Sequence, residues 1–279
     1  MANSILLSQQ ELTRLQLIVK EQRLNLRQPT NPYEVMRVFD HNIQLILYSS
    51  GKVVHNDSPE GLRLLRQCLT SVSGMDYVGG SDEAGKGEWY GPLVVACAAL
   101  TPQRYDDARI FGVHDSKQLD ATRLKRLASQ LVKFAVYDLV TLLPEDYNRQ
   151  YNSLRSEGKS LNDLLAKAHA TAINNVLAKL DKGRIRIFID QFDAKKTNSE
   201  IASILSSNPN LEILQFSEDT ETSISVASIL AKNEFENQVD QLEAKYGVTL
   251  RKSTPENLSR EVLPYIAKAH FKNVATVLT

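Results

Sequence analysis

The sequence predicts an α/β protein: a five-stranded mixed sheet flanked by helices, preceded by a small α+β unit. Three observations predict it. Strand-like apolar stretches recur at residues 77–82, 92–100, 134–142, 185–190 and 211–216. No long helical segment separates the first two, which reads as an antiparallel start, whereas helical spacing precedes the fourth and fifth, which reads as βα units. The chain of 279 residues is long enough for one large domain with its own core and a small appended one.

In chain order, Ser8 followed by Glu11 forms a capping-box signature, and Leu12, Leu15, Ile18 and Val19 then give an amphipathic helix that ends before Pro29. Residues 42–48 and 52–55 flank Ser49-Ser50-Gly51 and predict a hairpin. Ser58-Pro59 opens a second helix carrying Leu62, Leu65 and Leu69 inward. The small residues Ser71-Val72-Ser73-Gly74 have the composition of a connector, so residues 1–72 are expected to form the N-terminal unit and residues 73–279 the main domain. Beyond it, Leu124, Leu127 and Leu131 mark a helix over 120–133, and Ser160 with Asp163 caps another that stops by Gly183. The stripe Ile224, Ala227, Ala231, Phe235, Val239 and Leu242 marks a long helix starting near Thr222.

Composition excludes several classes. Hydrophobic content of 42% and charged content of 24% describe a soluble globular chain, not a fibrous or disordered one. A formal net charge of zero argues against a globally basic nucleic-acid binder and leaves room for a local basic patch. The apolar run at 92–100 is too short to span a bilayer, and the N-terminus lacks a signal-peptide pattern, so a cytoplasmic protein with no membrane association is expected. Cys68 and Cys97 form no paired motif and fit buried thiols of a reducing compartment.

The residues that could carry chemistry are acids at strand ends. Asp82-Glu83 closes the first strand of the main domain and runs into Ala84-Gly85-Lys86-Gly87, where backbone can approach a ligand closely. Alternation puts the two side chains on opposite faces, so Asp82 is placed for direct metal contact and Glu83 needs the strand to bend. Asp190 ends a buried strand, and Glu218 and Asp219 follow the next one, at the carboxyl edge where open α/β sheets place ligands. Taken singly, Asp82-Glu83 reads rather as a solvated acidic turn, Asp190 as often as a cap or turn residue, and Glu218 or Asp219 as an acid stabilised at a helix start. Gathered at one edge they repel unless cations neutralise them, and oxygen-only ligands favour Mg²⁺ or Mn²⁺. Two such ions suit in-line displacement at phosphorus. Ser116 and Lys117, before the helix at Asp120, could hold a phosphate or simply form a helix entrance. His169, alone among alanines, reads as a packed or solvent-facing histidine, Trp89-Tyr90 as core or as a stacking platform, and Arg251-Lys252 as surface or as a backbone contact.

In order, these motifs resemble those of the type 2 ribonucleases H. Gly80-Ser81-Asp82-Glu83-Ala84-Gly85-Lys86-Gly87-Glu88-Trp89-Tyr90-Gly91-Pro92-Leu93 is similar to the first motif, Asp115-Ser116-Lys117-Gln118-Leu119 to the second and Ile189-Asp190 to the third. Residues 224–232 resemble the fourth, and counting back from it lands on Glu218. Within that family the resemblance is to the ribonuclease HIII branch, on Glu88-Trp89-Tyr90, a glutamate as fourth acid, Lys268-Ala269-His270-Phe271, and an N-terminal unit similar to its TATA-binding-protein-like domain around 48–53.

The resemblance implies a ribonuclease H-like fold with the first and fourth strands of the main sheet adjacent. It implies hydrolysis of the RNA strand of RNA/DNA hybrids by two-metal-ion catalysis, with Asp82, Glu83, Asp190 and Glu218 as catalytic ligands of two Mg²⁺ or Mn²⁺ ions, leaving 5′-phosphate and 3′-hydroxyl ends. Gly85, Lys86 and Gly87 would read the 2′-hydroxyl that separates RNA from DNA, with Ser116 and Lys117 as further substrate contacts. A monomer without an obligate protein partner is expected. The alternatives are cleavage at single ribonucleotides in DNA, as in ribonuclease HII, and a non-catalytic hybrid-binding protein.

Overall fold

A computed structural model of the protein describes residues 3–70, 72, 74–113, 119–190, 194–216 and 221–279. The N-terminal part contains β1 (Asn3–Leu6), α1 (Gln9–Glu21), β2 (Leu26–Arg27), β3 (Glu34–Asp40), β4 (Ile43–Tyr48), β5 (Lys52–His55) and α2 (Pro59–Cys68). Its antiparallel sheet has the order β1-β5-β4-β3-β2. Alternation along β4 buries Ile43, Leu45 and Leu47 in a cluster with Leu15, Val19, Leu64 and Leu65 of the two helices. The capping box of α1 forms as expected, with Ser8 N–H donating to Glu11 Oε2 at 2.9 Å. This antiparallel sheet resembles a small TATA-binding-protein-like domain.

The second part contains β6 (Tyr77–Ala84), β7 (Leu93–Leu100), α3 (Pro102–Ile110), α4 (Ala121–Leu131), β8 (Val136–Leu142), α5 (Pro144–Ser156), α6 (Leu161–Leu177), β9 (Ile185–Asp190), α7 (Ala194–Ser207), β10 (Leu211–Phe216) and α8 (Thr222–Tyr246), followed by the short helices α9 (Leu263–Ile266) and α10 (Lys272–Leu278). Strand order is β10-β9-β6-β7-β8. β6, β7 and β8 form an antiparallel meander, while β6, β9 and β10 run parallel, so the sheet is mixed as the sequence predicts.

Every residue of β7 is buried because both its faces are covered. Val94, Ala96 and Ala98 pack with Val226, Leu230 and Phe235 of α8 on one face; Val95, Cys97 and Ala99 pack with Ala172, Ile173 and Val176 of α6 on the other. Among the described residues no helix is long and apolar enough to cross a membrane.

The sequence pattern misses β1, β2, β3, α3, α5 and the short α9 and α10. α3 shows the reason most clearly. Its inward positions include Asp106 and Asp107, so the apolar period that marks a helix is absent. Asp107 instead binds Arg66 of α2 at 2.8 Å and Arg104 at 3.0 Å. Arg109 chelates Glu11 at 2.7 and 2.9 Å, and His55 Nε2 lies 3.0 Å from the Ile110 carbonyl. Ile110 itself is buried among the N-terminal side chains. α3 is thus a polar helix that seats the N-terminal sheet against the main one.

Candidate functional site

The site begins with strand register. Ser81 pairs with Ile189 and Phe216 with Asp190, in parallel. One step beyond Ser81 and Ile189 stand Asp82 and Asp190, so the backbone delivers both residues to the same carboxyl edge. β10 ends at that edge too, and Glu218 and Asp219 follow it in sequence. Glu218, Asp219, Ser116 and Lys117 lie outside the described residues.

Glycines allow this edge to be crowded. A Cβ on Gly80 would sit 2.2 Å from the Ser223 carbonyl carbon, so only glycine lets the first turn of α8 pack directly on β6. Alternation then turns Asp82 to the α8 face and Glu83 to the α6 face, as the sequence implies. The Glu83 backbone N–H donates to Asp82 Oδ1 at 2.8 Å.

Glu83 is held from two sides. His169 Nε2 of α6 lies 3.3 Å from its Oε2, and Lys86 Nζ donates to Oε1 at 3.1 Å. Burial pushes the Glu83 carboxyl upward, but the hydrogen bond and charge of His169, with those of Lys86, outweigh it and hold the group below the ordinary carboxylate range. His169 is completely buried, and its Nδ1 is 2.7 Å from Ser81 Oγ. Ser81 donates its own proton to the Ala96 carbonyl at 2.9 Å, so the hydroxyl accepts from Nδ1. Of the two readings its surroundings allow, packed or solvent-facing, the lone histidine is packed, and with Lys86 it orients Glu83. No spacing in the sequence reveals this, because the contact depends on where α6 crosses β6.

After Ala84 the chain turns. Gly85 has φ +83°, and a Cβ there would lie 2.3 Å from the Pro92 carbonyl oxygen and 2.7 Å from the Phe235 ring. Lys86 leans back toward Glu83, whereas Gly87 is exposed with nothing within 4 Å of its would-be Cβ. Trp89 and Tyr90 meet edge to face at 5.3 Å, and Tyr90 reaches Phe235 at 6.1 Å, so both rings pack against the core cluster of the main sheet. Arg251 is engaged by Glu236, Asp240 and Glu243 at 2.6 to 2.8 Å, a use that anchors the end of α8.

The donor set suits a hard divalent cation. Asp82 and Glu83 offer carboxylate oxygens, and burial drives the Cys97 thiol far above its usual range, so no thiolate competes. Among the described residues no group of three His, Cys, Asp or Glu side chains gathers tightly enough to hold a metal by itself. Asp82 and Glu83 alone do not complete a coordination shell.

A mixed sheet with this strand order and this acidic edge is the ribonuclease H-like fold. The family model for ribonuclease HII matches residues 79–273, and the chain belongs to that family. A curated ribonuclease HIII of Staphylococcus aureus (strain Newman) is 35% identical over 211 residues, covering 70% of this chain and 65% of that protein. The chain thus spans about two thirds of the length of the curated relatives it matches. The crystal structure of Bst-RNase HIII in complex with Mn²⁺ superposes with a TM-score of 0.62 at 21% identity, covering 100% of this chain and 98% of that one. That of Aquifex aeolicus RNase H3 superposes with 0.57 at 19% identity, covering 96% and 100%.

Proposed function

We propose that the protein is an endoribonuclease that hydrolyses the RNA strand of RNA/DNA hybrids, leaving 5′-phosphate and 3′-hydroxyl ends. The observation that carries this reading is the register that sets Asp82 beside Asp190 at one sheet edge, in a chain of the ribonuclease HII family. Asp82, Glu83, Asp190 and Glu218 would together hold two Mg²⁺ or Mn²⁺ ions. The chemistry such ions would supply there is activation of water and stabilisation of the leaving oxygen in an in-line displacement. The Mn²⁺ complex of Bst-RNase HIII supports the choice of cation.

The chain's own residues do the positioning. His169 and Lys86 keep Glu83 ionised and aimed. Gly85, Lys86 and Gly87 form a turn whose open backbone at Gly87 is free to meet a 2′-hydroxyl. Ser116 and Lys117 would contact a phosphate.

Residues 1–72 would act as the substrate grip and residues 73–279 as the catalytic domain. Supporting this, the N-terminal sheet buries one face under α1 and α2, and the opposite face carries Arg27 and Arg37 at 4.4 and 5.2 Å from the Phe39 ring. Cationic groups on an aromatic platform suit a nucleic-acid backbone and its sugars.

The deciding experiment is a cleavage assay with Mg²⁺ and with Mn²⁺ on a uniform RNA/DNA hybrid, a duplex carrying a single ribonucleotide, and double-stranded RNA. Divalent-dependent cleavage of the hybrid is the expected result. Binding without scission, or scission only at the single ribonucleotide, overturns the reading. Comparing Glu218→Gln with Asp219→Asn assigns the fourth acid: greater loss from Asp219→Asn displaces Glu218.

A further inference from the structure

Lys268 is a buried cation that the chemistry above does not use. It is fully buried, and Nζ donates to two main-chain carbonyls, Glu88 O at 2.9 Å and Tyr90 O at 3.0 Å. Its backbone N–H donates to the carbonyl between them, Trp89 O, at 2.7 Å. Next to it, Tyr90 bridges Ala267, and Gly91 N–H donates to Ile266 O at 2.9 Å. Four consecutive residues of the loop are therefore stitched to residues 266–268.

That strap is itself anchored. Asn148 of α5 donates to Ala267 O at 2.9 Å and accepts from Ala269 N–H at 2.8 Å. The face of Tyr147 lies 5.7 Å from Lys268 Nζ, within reach of a cation–π contact. The loop so fixed is the continuation of Gly85-Lys86-Gly87, whose other end is wedged at Gly85 against Phe235.

Burying a lysine is costly and is tolerated where its N–H donors are matched. Burial pushes Lys268 down to about 7, with Glu88 acting weakly the other way. Near neutrality both forms are thus populated. Even the neutral amine keeps two N–H donors for the two carbonyls, so the tether depends on geometry more than on charge.

We propose that Lys268 is a positioning residue: by tying Glu88, Trp89 and Tyr90 to the C-terminal strap, it sets the placement of the Gly85-Lys86-Gly87 turn and hence the affinity for hybrid. This rests on the function proposed above. The tether alone does not, and it has its own reporter, because Trp89 is the sole tryptophan of the chain and sits at its centre.

The test uses the full chain with Lys268→Met, which nearly keeps side-chain length and removes both side-chain hydrogen bonds, to Glu88 O and Tyr90 O, while the backbone bond to Trp89 O remains. The expected result is a five- to tenfold rise in KM for a uniform hybrid with kcat changed less than about twofold, the mark of lost uniform binding. It is accompanied by a red shift of Trp89 emission as the loop opens to water. Asn148→Ala, which frees the strap from the other side, is expected to move both readouts in the same direction and serves if Lys268→Met does not fold. A folded variant with unchanged KM, or with unshifted Trp89 emission, overturns the proposal. If wild-type protein cleaves no hybrid, the proposed function falls, while Trp89 emission still decides the tether.

Discussion

His169 Nδ1 lies 2.7 Å from the hydroxyl of Ser81, inside the protein, while its other ring nitrogen faces Glu83 at 3.3 Å. One buried ring thus links the strand that carries both acids to the helix behind it. A group that orients a ligating carboxylate is worth about ten- to a hundredfold in metal affinity or activity. His169→Ala is accordingly expected to lower hybrid cleavage by that factor. Loss of two buried hydrogen bonds also costs about 1–3 kcal/mol, read by urea unfolding. Unchanged activity in a folded variant removes His169 from the site.

Asp82→Asn keeps size and an oxygen able to accept from the Glu83 N–H, but takes away the charge proposed to hold the cations. Cleavage of a uniform hybrid is expected to vanish in either metal. Circular dichroism and hybrid binding are expected to stay close to wild type, and residual cleavage near the wild-type rate sinks the assignment.

In the ion pair between Glu11 of α1 and Arg109 of α3 the carboxylate is buried and the guanidinium largely so, and the pair joins the N-terminal part to the main one. Removing one partner of a buried pair costs about 3–5 kcal/mol, because the other charge is stranded. Glu11→Gln is expected to lose stability on that scale, and a cycle with Arg109→Met isolates the pairwise part. The pH dependence has a definite sign. Burial pushes Glu11 upward, yet Arg109 and the Ser8 and Thr70 N–H groups win and lower it from 4.5 to about 2. Its stabilising share is therefore present above pH 4.5 and is lost as pH falls toward 2. Acid unfolding of Glu11→Gln should lack that portion of the transition.

Lys268 has the opposite linkage. Its folded value, near 7, lies below the roughly 10.4 of an unfolded lysine, so between these limits the unfolded chain binds the extra proton. Its contribution to stability thus rises with pH from about 7 to about 10, by at most about 1.4 kcal/mol per pH unit. The stability difference between wild type and Lys268→Met is expected to grow in favour of wild type from pH 7 to pH 9. A flat difference contradicts the buried lysine.

Replacing Phe39 with alanine probes the N-terminal grip without uncovering Ile110, which deletion of residues 1–72 would expose. Loss of one aromatic platform is expected to weaken hybrid binding by about 1–3 kcal/mol, measured by fluorescence anisotropy, with kcat retained. Unchanged affinity rules out this face as the grip.

Much of the fold and of the site was legible in the sequence because local patterns carry their own physics. Period-two and period-3.6 apolar spacing marks β6, β7, β9, β10 and α8, and Ser8, Ser58 and Asp120 mark helix starts through hydrogen bonds made within three residues. Acids at strand ends, and glycines around Lys86, are visible by type and position, and only their ordered combination singles them out from turn and cap residues. Tertiary structure decided what local pattern cannot encode. Which strands are neighbours, and hence that Asp82 stands beside Asp190, follows from pairing across more than a hundred residues. The roles of His169, Asn148 and Lys268, and the docking of α3, depend on contacts between distant segments. There a polar side chain is buried only because a partner from elsewhere in the chain satisfies it.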